Sequence, residues 1–352
     1  MSEAGLAFCK RWLHRAVSAG LSAADFLEVT DPVERWEQWL DAWCARGDAY
    51  EAAAREALER GHRAAGAQLL RRAALCFHFG NNLHFVDRAR SRAAHERSVR
   101  CNDAALPLAG GEAARVEIPY EGGTLAGILR RPGGVRRPAL VVMINGIDST
   151  KEEFDARQRE LAAAGMASLL FDGPGQGEAQ YRFAARGDYE HAVAAVIDHA
   201  LAHLDIDPHR VGVFGISLGG YYAPRAAAFD ERIKACISLS GPYDLAESWP
   251  NMGPLHRLAL TARSHLESEA QMLEHAASFT LRGIAGRIRC PLLVMTGTLD
   301  YFAYQQAERL AAEAAGPVTL SIVKNAPHVP DDRDYRYRAE MVGWMAERLA
   351  QA

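Results

Sequence analysis

The sequence predicts an α/β protein, a mostly parallel sheet flanked by helices, with a helical region in front of it. From about residue 115 onward, short apolar runs of strand character alternate with helical stretches, the pattern of parallel strands joined by right-handed crossovers. Before that point, alanine-rich segments with apolar residues at three-to-four spacing read as helices throughout. At 352 residues the chain exceeds one small domain. We divide it into an N-terminal helical domain, 1–110, and an α/β domain, 111–352.

In the front region, Asp31 and Pro32 read as a helix start, a capping oxygen followed by a ring suited to the first helical position. Trp36, Trp39, Leu40 and Trp43 then repeat on one buried face, and Gly47 is placed to close that helix. This stripe reads as core rather than as a ligand cavity. Asp48 is placed to cap the next segment, Gly61 punctuates it, and Leu69, Leu70, Ala73, Leu75 and Phe77 carry a further helix to Gly80. Another helix is expected from about Asn82 to His95. None of these segments has a metal or phosphate pattern.

The α/β domain opens with a predicted hairpin, Arg115 to Pro119 and Thr124 to Leu129 around Gly122 and Gly123. Ala139 to Ile144 is a continuous apolar run, as expected of a strand buried on both faces. Further strands are predicted at Ala167 to Phe171, Val211 to Phe214, Ala235 to Leu239, Leu292 to Thr296 and Val318 to Ile322. Helices are predicted at Lys151 to Ala164, Tyr189 to Leu204, Gly219 to Ala228, Tyr304 to Ala315 and Tyr335 to Leu349. A helical stretch at about 245–287 interrupts the alternation and is expected to act as a lid, enclosing an apolar pocket together with the front helices.

Composition narrows the function. Apolar residues make up 49 % and charged residues 24 %, enough for a sizeable core. A net charge of -4 offers no positive field for nucleic acid. The cluster Arg130, Arg131, Arg136 and Arg137 flanks Pro132, Gly133 and Gly134 and reads as a solvated turn. No apolar run is long enough for a membrane span, and no basic stretch with an apolar signal core begins the chain, so a cytoplasmic protein is expected. The six cysteines lack the spacing of a disulfide framework or a zinc site, and no metal is implied.

The chemistry is carried by Gly215, Ile216, Ser217, Leu218 and Gly219. This G-x-S-x-G follows a predicted strand and precedes a predicted helix, the sharp turn that lifts a serine hydroxyl above a sheet. Such a hydroxyl needs a base to take its proton and an acid to orient the base. Asp300 and His328, each at the carboxyl end of a late strand, supply them in that order; Asp244 and Asp331 are the weaker rivals of Asp300. An oxyanion requires amide donors. Leu218 supplies one and Ile147 the other, because Gly146 before it lets the backbone turn inward. The turn from Asp172 to Gly177 lacks the pattern of a phosphate cradle.

The run Asn145, Gly146, Ile147, Asp148, Ser149, Thr150, Lys151, Glu152 and Glu153, with Phe171 to Gly177, Gly215 to Gly219, Asp300 and His328, resembles the α/β-hydrolase family containing 2,6-dihydroxypseudooxynicotine hydrolase. Fungal hydrolases that shorten polyketide precursors are similar, and the likeness covers most of the chain. The resemblance implies hydrolysis of a carbon–carbon bond next to a ketone (EC 3.7.1 type) in an aromatic or polyketide-like substrate, without a metal or organic cofactor, in a homodimer. It also implies an active-site glutamate outside the triad, and Glu247 is the residue that matches. A carboxyl group whose pKa is raised in an apolar pocket would serve a carbanion leaving group, which ester cleavage does not produce. Ser217 attack on the ketone and direct activation of water by His328 are both permitted.

A carboxylesterase is the alternative reading, since fold and triad leave the leaving group open. A binding protein that had lost catalysis would be expected to lack a triad member, and none is missing. Trp249, Tyr221 and Tyr222 are candidates to line the substrate site, with simple packing as the competing reading.

Overall fold

A computed structural model of the chain describes residues 2–108, 110, 113–302 and 304–352. The chain forms two units. The first runs to Arg115 and also takes Glu152–Arg157; the second is Val116–Lys151 with Gln158–Ala352. A division into two consecutive domains at residue 110 does not contain that six-residue piece.

The first unit holds helices α1 (Ser2–Cys9), α2 (Leu13–Ala19), α3 (Ala23–Thr30), α4 (Trp39–Glu59), α5 (Arg63–Asn81) and α6 (Arg88–Ala105). Three expected boundaries move. Asp31 closes α3 rather than starting a helix, its amide donating to the Leu27 carbonyl at 2.8 Å. Gly47 does not end α4, because it faces α5: a β-carbon there would meet the Phe77 ring at 2.5 Å, so the glycine admits a neighbouring helix instead of a stop. The helix expected from Asn82 begins at Arg88, where the Asp87 side chain accepts from the Arg90 amide at 3.0 Å. The tryptophan stripe is buried as core, with the Trp39 indole donating to the Phe79 carbonyl at 2.8 Å. In this same unit the buried Glu153 carboxylate accepts from Arg15 Nε and Nη2 at 2.6 and 2.7 Å, and lies 3.0 Å from His78 Nε2. Burial would raise its pKa, but Arg15 and then His78 outweigh that and hold it at about 2.

The second unit is built on a sheet of eight strands: β1 (Ala113–Tyr120), β2 (Gly123–Arg130), β3 (Leu140–Ile144), β4 (Ala167–Phe171), β5 (Val211–Ile216), β6 (Ile233–Leu239), β7 (Leu292–Gly297) and β8 (Val318–Val323). Their spatial order is β1-β2-β4-β3-β5-β6-β7-β8. β2 runs antiparallel to β4, and from β4 to β8 neighbours are parallel, with Val142 beside Val213 and Val213 beside Cys236. Every residue of β3, β4 and β5 is buried, which is why these segments read as unbroken apolar runs. Each Val, Leu or Ile so buried contributes roughly 1.5–3 kcal/mol.

Helices α7 (Asp155–Ala163), α8 (Glu190–His203), α9 (Leu218–Phe229), α13 (Tyr304–Glu313) and α14 (Asp334–Ala350) follow the predicted order. Between β6 and β7 come α10 (Leu245–Ser248), α11 (Pro254–Arg263) and α12 (Glu269–Ala276), whose Leu245, Leu260 and Met272 join the core cluster of the unit. Pro224 sits inside α9 and has no amide for the Gly220 carbonyl. Ser238 Oγ of β6 donates to that carbonyl at 2.6 Å, so the missing helical bond is replaced from the sheet. No helix among the described residues is long and apolar enough to cross a membrane. None of the six cysteines is in a disulfide, and burial pushes the thiols of Cys76 and Cys236 well up.

Candidate active site

The residue after strand β5 has a backbone conformation that few side chains tolerate: Ser217 has φ 56 and ψ -121. The glycines on either side make this turn possible. A β-carbon on Gly215 would lie 1.8 Å from the Gly219 carbonyl oxygen, and one on Gly219 would lie 2.2 Å from that of Ile144. The motif is therefore a packing requirement, the tight strand-to-helix elbow that presents a hydroxyl at the sheet's carboxyl edge. The Ser217 amide donates to the Leu239 carbonyl at 2.8 Å, and the Gly220 amide to the Ser217 carbonyl at 2.7 Å.

His328 Nε2 lies 2.8 Å from Ser217 Oγ, and His328 Nδ1 lies 2.9 Å from Asp300 Oδ1. Two loops are locked together to achieve this. The Leu299 amide donates to the Ala326 carbonyl at 2.9 Å, and the Asn325 amide to Thr298 Oγ1 at 2.8 Å. Next to His328 in the chain, the Val329 amide donates to Ser240 Oγ at 3.1 Å. The rings of Tyr301 and Phe302 lie 4.2 and 5.0 Å from the imidazole. Asp300 is buried and also accepts from the Phe302 amide at 2.9 Å and from Thr296 Oγ1 at 2.8 Å. Burial would raise its carboxyl, but His328, the Phe302 amide and the Thr296 hydroxyl together hold it below its ordinary value. It is thus an anion at neutral pH, oriented to keep a proton on His328 Nδ1 and leave Nε2 as the acceptor facing serine.

The loop after β3 runs against this turn. A β-carbon on Gly146 would lie 3.1 Å from Ser217 Cβ. The Gly146 amide is engaged by Ser149 Oγ at 3.0 Å, so the next amide, that of Ile147, stands with that of Leu218 as the candidate pair of oxyanion donors. The turn after β4 holds this loop from behind. Asp172 Oδ1 accepts from Asn145 Nδ2 at 3.0 Å and from the Lys151 amide at 2.9 Å. The carboxylates of Asp172 and Glu178 would suit a cation, and the protein supplies its own: Lys151 Nζ lies 3.0 and 2.6 Å from them.

Four candidates are placed otherwise than expected. The Glu247 side chain is 43 % exposed and paired with Arg282 and with Arg309, the latter at 3.4 Å, so it is not a carboxyl in an apolar pocket. Its amide donates to Asp244 Oδ1 at 3.1 Å, which makes Asp244 the cap of α10 and leaves Glu247 in its first turn. Tyr221 and Tyr222 have no exposed surface; the Tyr221 hydroxyl donates to the Gly187 carbonyl at 2.8 Å, and the Tyr222 ring stacks on Tyr189 at 3.8 Å. Both belong to the core. Trp249 is buried under Arg257, whose guanidinium lies 5.7 Å from its ring centre. Sequence reasoning also missed two neighbours of the site. Asp148 is 3.6 Å from His256 of α11, and Gln176 reaches backbone carbonyls of the β3 loop. The glycine-rich turn around Gln176 was the available signal, but its acceptors are main-chain atoms that no motif displays.

Comparison with known proteins follows the same lines. Residues 152–352 match the model of the prolyl oligopeptidase family. The chain is 32 % identical over 339 residues to 2,6-dihydropseudooxynicotine hydrolase of Paenarthrobacter nicotinovorans, covering 95 % of this chain and 91 % of that protein. It is 30 % identical over 336 residues to 20-hydroxy-prefusarin hydrolase of Gibberella moniliformis, covering 81 % and 78 %. The crystal structure of the 2,6-dihydroxy-pseudo-oxynicotine hydrolase superposes with a TM-score of 0.89 at 30 % identity, covering 96 % of this chain and 95 % of that one.

Proposed function

Because the chain belongs to the α/β-hydrolase family of 2,6-dihydropseudooxynicotine hydrolase, we propose that it is a serine hydrolase cleaving a carbon–carbon bond beside a ketone in an aromatic or polyketide-like substrate. The observation that carries the serine-hydrolase chemistry is the placement of His328 between Ser217 and Asp300, at 2.8 and 2.9 Å; the carbon leaving group rests on the relatives. His328 Nε2 takes the proton of Ser217 as Oγ attacks the ketone carbon. The resulting oxyanion is held by the amides of Leu218 and Ile147. When it collapses, the bond to the neighbouring carbon breaks, its electron pair leaves with that carbon, and the His328 imidazolium returns the proton to it. Water, deprotonated by His328, then releases the acyl group from Ser217 as a carboxylic acid. The relatives' names, hydrolases of a pseudooxynicotine and of a prefusarin, support the substrate class. This reading includes the homodimer that the resemblance implies and the cytoplasmic location expected from the sequence.

A carboxylesterase is the second reading, and the position of Glu247 favours it. With that carboxylate at the surface between two arginines, the extra acid expected for a carbon leaving group is not at that residue. The two are separated by incubating the enzyme with a β-diketone, an acyl-phenol and a p-nitrophenyl ester and resolving the products by mass spectrometry. Carbon–carbon hydrolysis gives an acid and a ketone or arene; turnover of the ester with the two ketones untouched would leave the esterase.

A further inference from the structure

The candidate oxyanion hole has one donor on the nucleophile helix and the other on a separate loop, so something must keep the two in register. We propose that Tyr222, Tyr189 and Gln176 form a positioning column that does so. The proposal rests on Ser217 being the nucleophile and on the Ile147 and Leu218 amides being the donors. Gln176 Nε2 donates to the Asn145 carbonyl at 2.6 Å and to the Gly146 carbonyl at 3.3 Å. The Gly146 carbonyl and the Ile147 amide are the two ends of one planar peptide. Fixing the oxygen on Gln176 therefore fixes the direction in which the Ile147 N–H points. The preceding peptide is pinned in the same way, with its carbonyl on Gln176 and its Gly146 amide on Ser149 Oγ at 3.0 Å.

The orientation of the Gln176 amide is itself determined. Its Oε1 accepts from the Gly173 amide at 3.1 Å and from the Tyr189 hydroxyl at 2.5 Å. A backbone amide can only donate, so Oε1 must face it and Nε2 must face the loop. The Tyr189 hydroxyl has a reserved place: a β-carbon on Gly173 would lie 1.9 Å from it. Burial pushes that hydroxyl well above its ordinary pKa, so it remains a donor at any working pH. Finally, the Tyr189 ring lies nearly parallel to that of Tyr222, 13° between planes and 3.8 Å between centres. Tyr222 is on α9, the helix whose first residue is Leu218. The column thus begins on the helix of one donor and ends on the peptide of the other. None of its three side chains has exposed surface. They position the donors and do not themselves touch the reacting atoms.

The test uses the full chain, p-nitrophenyl acetate as substrate and phenylboronic acid as a mimic of the tetrahedral adduct on Ser217. Gln176→Glu keeps the shape and the Oε1 acceptor but removes the donor; it is expected to lower kcat about 100-fold, the scale of a small misplacement of catalytic groups. Tyr189→Phe removes one hydroxyl and keeps the stack, and is expected to lower kcat about tenfold. In both variants KM stays within about threefold, and boronate affinity falls by the same factor as kcat/KM. A merely structural role would instead lower Tm and the active fraction and leave the folded molecules' boronate affinity unchanged; that result overturns the column, as does wild-type turnover by both variants. Should Gln176→Glu fail to fold, Tyr189→Phe decides alone. If a fluorophosphonate fails to label wild-type Ser217, the underlying nucleophile reading falls, a different failure from that of the column.

Discussion

His328 Nε2 lies 2.8 Å from Ser217 Oγ across a sequence separation of 111 residues. Neither side chain reaches the other through its own element. The contact depends on a strained elbow at one strand end and on a loop tied to Thr298 and Ser240 at two others.

Removal of this contact should abolish turnover. Ser217→Ala and His328→Gln are each expected to lower kcat by about 10⁵-fold or more, and Asp300→Asn by about 10⁴-fold, because the amide leaves His328 in the wrong tautomer. Steady-state kinetics on whichever substrate the wild type accepts, with fluorophosphonate labelling as a second readout, checks this. A variant retaining a tenth of wild-type kcat would contradict the triad assignment.

Glu247→Gln should be nearly silent. An exposed carboxylate shared by Arg282 and Arg309 contributes about 1 kcal/mol or less to stability, and even that whole amount felt in the transition state would change kcat only about fivefold. A large loss confined to ketone substrates would instead return Glu247 to the chemistry.

Acid should weaken the first unit through Glu153. Its folded carboxyl is held at about 2 against an ordinary value of 4.5. Because the folded value is the lower one, the stabilisation is complete above about 4.5 and is lost as pH falls toward 2, with a magnitude on the order of 3 kcal/mol. Urea melts of wild type and Glu153→Gln at pH 7 and pH 3 measure it. The gap between the two proteins should narrow on acidification; a constant gap would rule out the ionised carboxylate as its source.

Tyr222→Phe should stabilise the protein. The Tyr222 hydroxyl is buried without a hydrogen-bond partner among the described residues, and an unsatisfied buried polar group costs about 1–3 kcal/mol. The variant keeps the ring stacked on Tyr189, so calorimetry is expected to show a raised Tm. A lowered Tm would mean that the hydroxyl has a partner in solution.

The strands and the three members of the candidate triad were legible because they depend on local signals: apolar runs, the spacing of two glycines, and polar residues at strand ends. The failures share a cause. Gly47 has the composition of a helix stop, but Phe77 on another helix decides its role. Glu247 has the look of a helix-start acid in a pocket, and its partners Arg282 and Arg309 come from elements far along the chain. Tyr221 and Tyr222 come just after the nucleophile turn, yet in α9 both are buried in protein packing. Gln176 was invisible for the opposite reason, since it serves backbone atoms that every sequence has.

The six residues Glu152–Arg157 bear on how this enzyme can be cut. They follow the β3 loop in the chain but are folded with the first unit, where Glu153 relies on Arg15 and His78 for its charge. A fragment starting at residue 111 would therefore carry a carboxylate shorn of both its partners, on the stretch just downstream of Ile147. Truncation is the wrong knife for asking what the amino-terminal helices contribute; the question has to be put to the intact chain, one side chain at a time.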